Sequence, residues 1–261
     1  MNQTKGFTTL RGQIFGVEKE PTRTDYKNTL RLRVKTSEDN SVWVTAGGWN
    51  TSKLSVNIKA DGMEQYDKIP EADIADTLAD YFRDGDFVSI KARVDVNTYG
   101  EGRLDQYLSG IYHAEEIDFT SDEFEERNEM NIPAVITREL TGDELVVSFA
   151  NYKGETVTQT LVARNEIINE FLGTVNVGDL VPMSIKIVNK PIYEEVEGSE
   201  QTESKQRTTL LGRNIGGNSK KNRKIVGNIN ELEIIDIDVE KIVKGAYAAE
   251  DLGVADQESP F

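Results

Sequence analysis

The stretch LADYFRDGDFVSIKARV (Leu78–Val94), followed later by YLSGIYHAEEID (Tyr107–Asp118), has a counterpart further along the chain. INEFLGTVNVGDLVPMSIKIV (Ile168–Val188), followed by KIVGNINELEII (Lys224–Ile235), shows the same design. Each block reads as a short amphipathic helix, a Gly-Asp turn, a strand alternating in twos, a loop, and a strand closing on Glu-Ile. A repeat of this kind decides the fold before any single residue does. Two copies of a small β-unit suggest a repeated binding surface more readily than one catalytic pocket.

Working outward, the first half reads as strands at about Phe7–Val17, Thr29–Thr36 and Ser41–Gly47, a helix near Glu71–Arg83, then strands at about Asp86–Val96 and Gln106–Asp118. Pro70 is placed to start that helix and Asp84-Gly85 to end it. The second half gives Asn131–Leu140, Glu144–Ala150, Glu155–Ala163, a helix near Asn165–Gly173, then Asp179–Asn189 and Ile225–Asp236. The acidic run SDEFEERNE (Ser121–Glu129) reads as the linker. Short alternating strands separated by turn residues argue for a mainly β protein of small barrels or sandwiches.

This order, three strands, a helix and two strands, resembles the oligonucleotide/oligosaccharide-binding fold, a five-stranded barrel. The resemblance implies two tandem barrels, each with a helix between strands three and four, over residues 1–120 and 130–240. A flexible acidic tail, 241–261, follows. A jelly roll would alternate similarly but would not need the helix twice.

The net charge is −16 over 261 residues, which at first argues against a nucleic-acid partner. Its distribution argues the other way. Residues 1–60 hold 10 Lys+Arg against 5 Asp+Glu, and 61–119 hold 5 against 15. Residues 205–224 hold 7 bases and no acid. Segregated charge focuses local fields even on a negative molecule. The plainer alternative is that these are ordinary solvated faces.

The most informative local pattern is Leu30-Arg31-Leu32-Arg33-Val34-Lys35. Alternation puts Leu30, Leu32 and Val34 on one face, and Arg31, Arg33 and Lys35 on the other. The return strand adds Ser41, Trp43 and Thr45 to the cationic face. A later strand sends Ser89, Lys91 and Arg93 outward. The expectation is a sheet face with five cations and an indole, suited to single-stranded nucleic acid: cations neutralise phosphates and an aromatic face stacks a base. Trp49, and Tyr99 with Arg103 in the Asn97–Asp105 hairpin loop, are further candidates. The competing reading makes Trp43 a cover for an apolar patch and the cations exposed cross-strand partners. In the second half the candidates lie in the loop of roughly Lys190–Lys224: Lys205, Arg207, Arg213, Lys220, Lys221, Arg223 and Lys224. These would clamp a phosphate backbone, or else belong to a solubilising insertion.

The chain closes on Ala-Asp-Gln-Glu-Ser-Pro-Phe after an acidic stretch. This resembles the C-terminal tip of bacterial single-stranded DNA-binding proteins, whose last apolar residues and carboxylate dock into basic-rimmed pockets of replication and repair partners. Asp256, Glu258, Pro260 and Phe261 occupy the matching positions. The commonest bacterial form has one barrel per chain, a tetrameric assembly and a long Gly/Gln-rich tether. Two barrels on one chain and a short tether point instead to a phage-type member, monomeric or dimeric.

Little speaks for catalysis. His113 is the only histidine, so multi-histidine metal centres are excluded. The glycines of Gly212–Ser219 mimic a phosphate-binding loop, yet Asn218 stands where the lysine belongs and a strand follows. Asp73, Asp76 and Asp80 along one helix fit a solvated face, with a carboxylate-metal nuclease as the minor alternative. No enzyme activity, metal or cofactor is expected. With no cysteine, no apolar run near the ~20 residues of a membrane span and no signal peptide at Met1–Lys5, a cytoplasmic location is expected. Two other readings stand beside DNA: a protein-interaction module, such as a phage inhibitor or assembly component, and RNA or carbohydrate binding.

Overall fold

The computed structural model describes residues 1–18, 21–195 and 223–252. The first half contains β1 (Gly6–Val17), β2 (Thr22–Arg23), β3 (Lys27–Lys35), β4 (Ser41–Trp49), β5 (Ser55–Lys59), β6 (Asp67–Pro70), α1 (Ile74–Tyr81), β7 (Phe87–Asn97) and β8 (Arg103–His113). The second contains β9 (Asn128–Ile136), β10 (Glu144–Ala150), β11 (Thr156–Val162), α2 (Glu166–Leu172), β12 (Leu180–Glu195) and β13 (Arg223–Ile237). The chain is mainly β, as the alternation implied.

In the first half β1 pairs with β3, β3 with β4, β7 with β8 and β7 back with β1, all antiparallel. A single parallel bridge, Thr45 to Tyr107, joins β4 to β8 and completes the ring. The second half repeats this order through β9, β10, β11, β13 and β12, with the parallel bridge at Val162 and Glu233. Each ring wraps its own core. Leu10, Ile14, Leu32, Ile90 and Ile111 fill the first; Met130, Ile136, Val147, Phe149 and Leu161 fill the second. Closure removes the strand edges that an open sheet would leave unpaired. The halves are continuous, because β1 also pairs with β9 from Phe7–Asn131 to Leu10–Asn128.

The helices close ring ends rather than build layers. α1 buries Ile74, Ala75 and Leu78 against the first core. Gly47 lets it approach: with φ +96°, a Cβ there would lie 2.2 Å from the Asn28 carbonyl and 3.2 Å from the Ala75 Cβ. In α2, the Asn165 side chain caps the start by accepting from the amides of Ile167 and Ile168.

Several boundaries differ from expectation. Pro70 ends β6, and the helix starts four residues later. The β5–β6 hairpin was not anticipated; it attaches through a parallel pairing of Asn57 with Gly110, beyond the reach of local pattern. β8 stops at His113, its last residue in register with β7 at Val88. The supposed linker is partly structured: Phe124 meets Phe119 edge-on at 5.4 Å, Phe119 lies 6.2 Å from Phe87, and Asn128-Glu129 already belong to β9. The expected loop from Lys190 is a ribbon as far as Glu195, paired with β13 from Arg223. Among the described residues no helix is long and apolar enough to cross a membrane.

Candidate nucleic-acid interface

β3 sends Leu30, Leu32 and Val34 into the core, at most 3% exposed, so the intervening residues face outward. Antiparallel register sets Lys27 opposite Trp49, Arg31 opposite Thr45, Arg33 opposite Trp43, and Lys35 opposite Ser41. Trp43 is 38% exposed. The Arg31 guanidinium carbon lies 4.7 Å from its ring centroid and that of Arg33 5.8 Å away. Arg33 also lies 5.6 Å from the exposed Phe15 ring and donates from Nε to Ser41 Oγ at 2.8 Å. Lys35 sits 5.0 Å from the Phe119 centroid. Each cation therefore rests against an aromatic face, which holds a charge without neutralising it.

The expected five-cation plane divides. β7 pairs with β1 and β8, so ring closure leaves one strand between it and β3–β4 on either side. Lys91 is exposed on β7, away from Trp43. Arg93 is committed elsewhere: its Nη1 lies 2.5 Å from Glu71 Oε1, its Nε 3.4 Å from Asp95, and its guanidinium 5.0 Å from the Tyr107 centroid. Glu71 is 1% exposed and also accepts from Ser52 Oγ. Arg93 thus braces Tyr107 from behind rather than standing free for a phosphate.

The β3–β4 face forms one wall of a groove of about 660 Å³ whose other wall is the second half. Lys27, Arg31, Trp43 and Tyr107 line the first wall; Gln159, Asn189 and Asn230, from β11, β12 and β13, line the second. Lys27 Nζ donates to Tyr107 Oη at 2.7 Å. Arg103 reaches the groove but is paired with Asp105 at 2.8 Å. Trp49, 55% exposed, stacks on Tyr26 with centroids 5.3 Å apart. Tyr99 stands 84% exposed at the β7–β8 hairpin tip. Sequence reasoning passed over Lys27 and Tyr26, though Lys27 continues the outward series of 31, 33 and 35. The amides of the far wall and the exposed Tyr152 carried no sequence signal, since only tertiary contact brings them here.

The family model described as YorF matches residues 12–259. The chain belongs to the YorF family. Among solved structures, this YorF-family chain is similar to the wild-type single-stranded DNA-binding protein from Thermus aquaticus, with 12% identity and a TM-score of 0.41, over 75% of this chain and 96% of that one. A deletion mutant of the same Thermus aquaticus protein gives 12% identity and 0.41 over 75% and 98% of the respective chains. No curated protein sequence matches.

In the YorF-family chain the two groove walls are locked together. Glu126 accepts from Thr36 Oγ1 at 2.6 Å and Asn40 Nδ2 at 2.8 Å, and pairs with Lys186 at 2.6 Å. Burial opposes its ionisation, but the hydrogen bonds from Lys186, Thr36 and Asn40 outweigh that and hold its carboxyl below the usual range. Asn40 Nδ2 donates to the Ile187 carbonyl, the Asn189 amide donates to Asn40 Oδ1, and Lys190 pairs with Asp39 at 3.2 Å. Such a lock fixes the width of the groove.

Among the described residues no group of three metal-binding side chains occurs. Lys205, Arg207, Arg213, Lys220 and Lys221 lie outside the described residues, as do Asp256, Glu258, Pro260 and Phe261. Arg223 and Lys224 open β13, their backbones in register with Glu195 and Glu194.

Proposed function

We propose that this protein binds single-stranded DNA along the β3–β4 face and performs no chemistry on it. The observation that carries this is the half-exposed indole of Trp43 with the guanidiniums of Arg31 and Arg33 packed over its ring. A base stacked on that indole would put its phosphates within reach of both cations. Strand order adds support. Each ring, with its helix between the third and fourth ring strands, has the connectivity of an oligonucleotide-binding barrel, read here as domains 1–120 and 130–240. In that fold the second and third strands, with the loops after the first and fourth, form the binding surface. β3, β4, Tyr26 and the Tyr99 hairpin occupy those positions.

On this reading the protein coats and protects exposed strands in the host cytoplasm during phage replication or recombination. The tail is shorter than the expected 241–261, because residues 241–252 are held to the second half: Val243 bridges Leu180 and the Tyr247 amide donates to the Gly178 carbonyl. Residues 253–261 remain as the recruitment segment, with Asp256, Glu258, Pro260 and Phe261 offered to replication or recombination proteins. The basic series 205–224 supplies further phosphate contacts. Titration with fluorescent poly-dT tests the central claim: sub-micromolar affinity at low salt, falling with log–log slope of about −0.7 per phosphate contacted, supports it. Absence of binding under those conditions refutes it.

One observation favours a protein partner instead. The β12–β13 ribbon exposes Ile192, Tyr193, Ile225 and Val226, an apolar stretch of the kind that marks contact surfaces. A protein-interaction module would show negligible affinity for any oligonucleotide and capture one dominant protein in a pull-down.

A further inference from the structure

Beside the Trp43 groove lies a smaller cleft of about 270 Å³, built by both halves. The first half contributes Trp49 and Tyr99; the second contributes Tyr152 and Lys153, from the β10–β11 loop. The three aromatic residues are 55%, 84% and 73% exposed, respectively. Water-facing rings gathered on one concavity have no role in either core.

These rings sit on anchored loops. Thr98 Oγ1, next to Tyr99, donates to Glu155 Oε2 at 3.1 Å, and Asn151 Nδ2, next to Tyr152, donates to the same oxygen at 2.7 Å. One carboxylate thus ties the two turns together across the junction of the halves. The Tyr99 amide donates to Asn97 Oδ1, and the amides of Lys153 and Glu155 donate to Asn151 Oδ1. Trp49 has one face covered by Tyr26, and among the described residues no second ring stacks on it. Little ordering entropy remains to be lost when a flat ligand enters.

Charge selects the ligand's orientation. Glu155 lines the cleft, and the Asp95 and Asp105 carboxylates there are paired with Arg93 and Arg103, so the cleft favours an uncharged ring over a phosphate backbone. Cations stand at its margins: Lys153 lies 5.6 Å from the Tyr152 centroid, and Lys27 lines both cleft and groove. Tyr107, Asn97 and Asp105 are likewise shared between the two. A strand leaving Trp43 past Lys27 therefore meets this cleft next.

We infer that the cleft is a second stacking subsite for nucleobases of the same single strand, with Tyr152 as the base platform of the second half. The two halves then hold one continuous strand rather than one strand each. This rests on the DNA-binding reading above and extends it.

The test is a length series of oligo-dT spanning roughly 4 to 16 nucleotides, the range of site sizes for such barrels. The full chain should show a rise in affinity once the oligonucleotide is long enough to span both sites. Tyr152→Ala should remove roughly 5- to 150-fold of the affinity for long oligonucleotides, the factor for one lost base stack, while leaving short ones unchanged. Unchanged length dependence in both Tyr152→Ala and Tyr99→Ala overturns the inference while leaving the Trp43 face intact as a site. A second readout uses Trp43→Phe, in which Trp49 is the sole tryptophan. Saturating long oligo-dT should quench it; an unaltered emission also overturns the inference. Failure of the unmodified chain to bind any length would instead bring down the parent reading.

Discussion

Arg31 on β3 and Trp43 on β4 lie diagonally across the hairpin, guanidinium over indole at 4.7 Å, on the side of the sheet opposite the core. On the proposed reading the indole is a base platform and the guanidinium over it a phosphate partner. Removing each should leave a different signature. Trp43→Ala should weaken oligo-dT binding by about 1–3 kcal/mol with little change in salt dependence. Arg31→Ala should lower the magnitude of the log–log salt slope by about 0.7, one phosphate contact. Fluorescence titrations at several salt concentrations distinguish the two; identical signatures would contradict the division of roles.

Among the described residues, Glu71 and Arg93 form the most deeply placed ion pair of the site, with Glu71 nearly inaccessible. Burial opposes the charge on Arg93, yet Asp95 and Glu71 together raise its pKa above the ordinary value. Glu71→Ala leaves this cation with Asp95 as its remaining partner, whereas Arg93→Ala strands the buried Glu71 carboxylate. Leaving a buried charge unpaired costs about 3–5 kcal/mol, to be read from urea unfolding of Arg93→Ala. Glu71→Ala should destabilise less, and a loss in Arg93→Ala confined to DNA affinity would show Arg93 to be a direct phosphate contact after all.

Acid should loosen the junction between the halves. Glu126 ionises more readily folded than unfolded, so its stabilising contribution is complete above the unfolded value of 4.5 and is lost as pH falls through the lower folded value. Unfolding midpoints should be flat towards neutral pH and decline below about 4.5. In Glu126→Gln the decline should be shallower and the neutral-pH stability lower. An unaltered pH profile would remove Glu126 from the lock.

Gly102 seats the β7–β8 hairpin on the second half. Its φ is +69°, and a Cβ there would lie 2.6 Å from Val157 Cγ1. Gly102→Ala should cost about 1–3 kcal/mol from backbone strain and crowding. It should also weaken binding of long oligonucleotides by displacing Tyr99. Calorimetry and the same length series check both effects.

Deleting Ser259–Phe261 should leave oligo-dT affinity intact and abolish capture of replication or recombination proteins from host lysate. A tail-dependent change in DNA affinity would mean that the tail competes for the groove instead.

Legibility differed from element to element. Strands such as β3 and β7 were readable because one face is buried, and burial imposes period-two alternation on neighbouring residues. The β5–β6 hairpin was not, since its place depends on β8, about fifty residues away. Pro70 misled for a local reason: the same fixed φ that suits a helix start also suits a strand end. Arg93 looked equivalent to Arg33 because both alternate outward; only Glu71, brought in from the segment before α1, distinguishes them.

Sequence by itself determined the mainly β character and which side chains leave the core at β3 and β4, because these depend on backbone periodicity and near neighbours. Tertiary structure decided which outward residues meet. Closure of each ring separated Lys91 from Trp43, and the pairing of β1 with β9 brought Gln159, Asn189, Asn230 and Tyr152 opposite the first half. A groove between two walls depends on contacts between residues far apart in the chain, and no local periodicity encodes those.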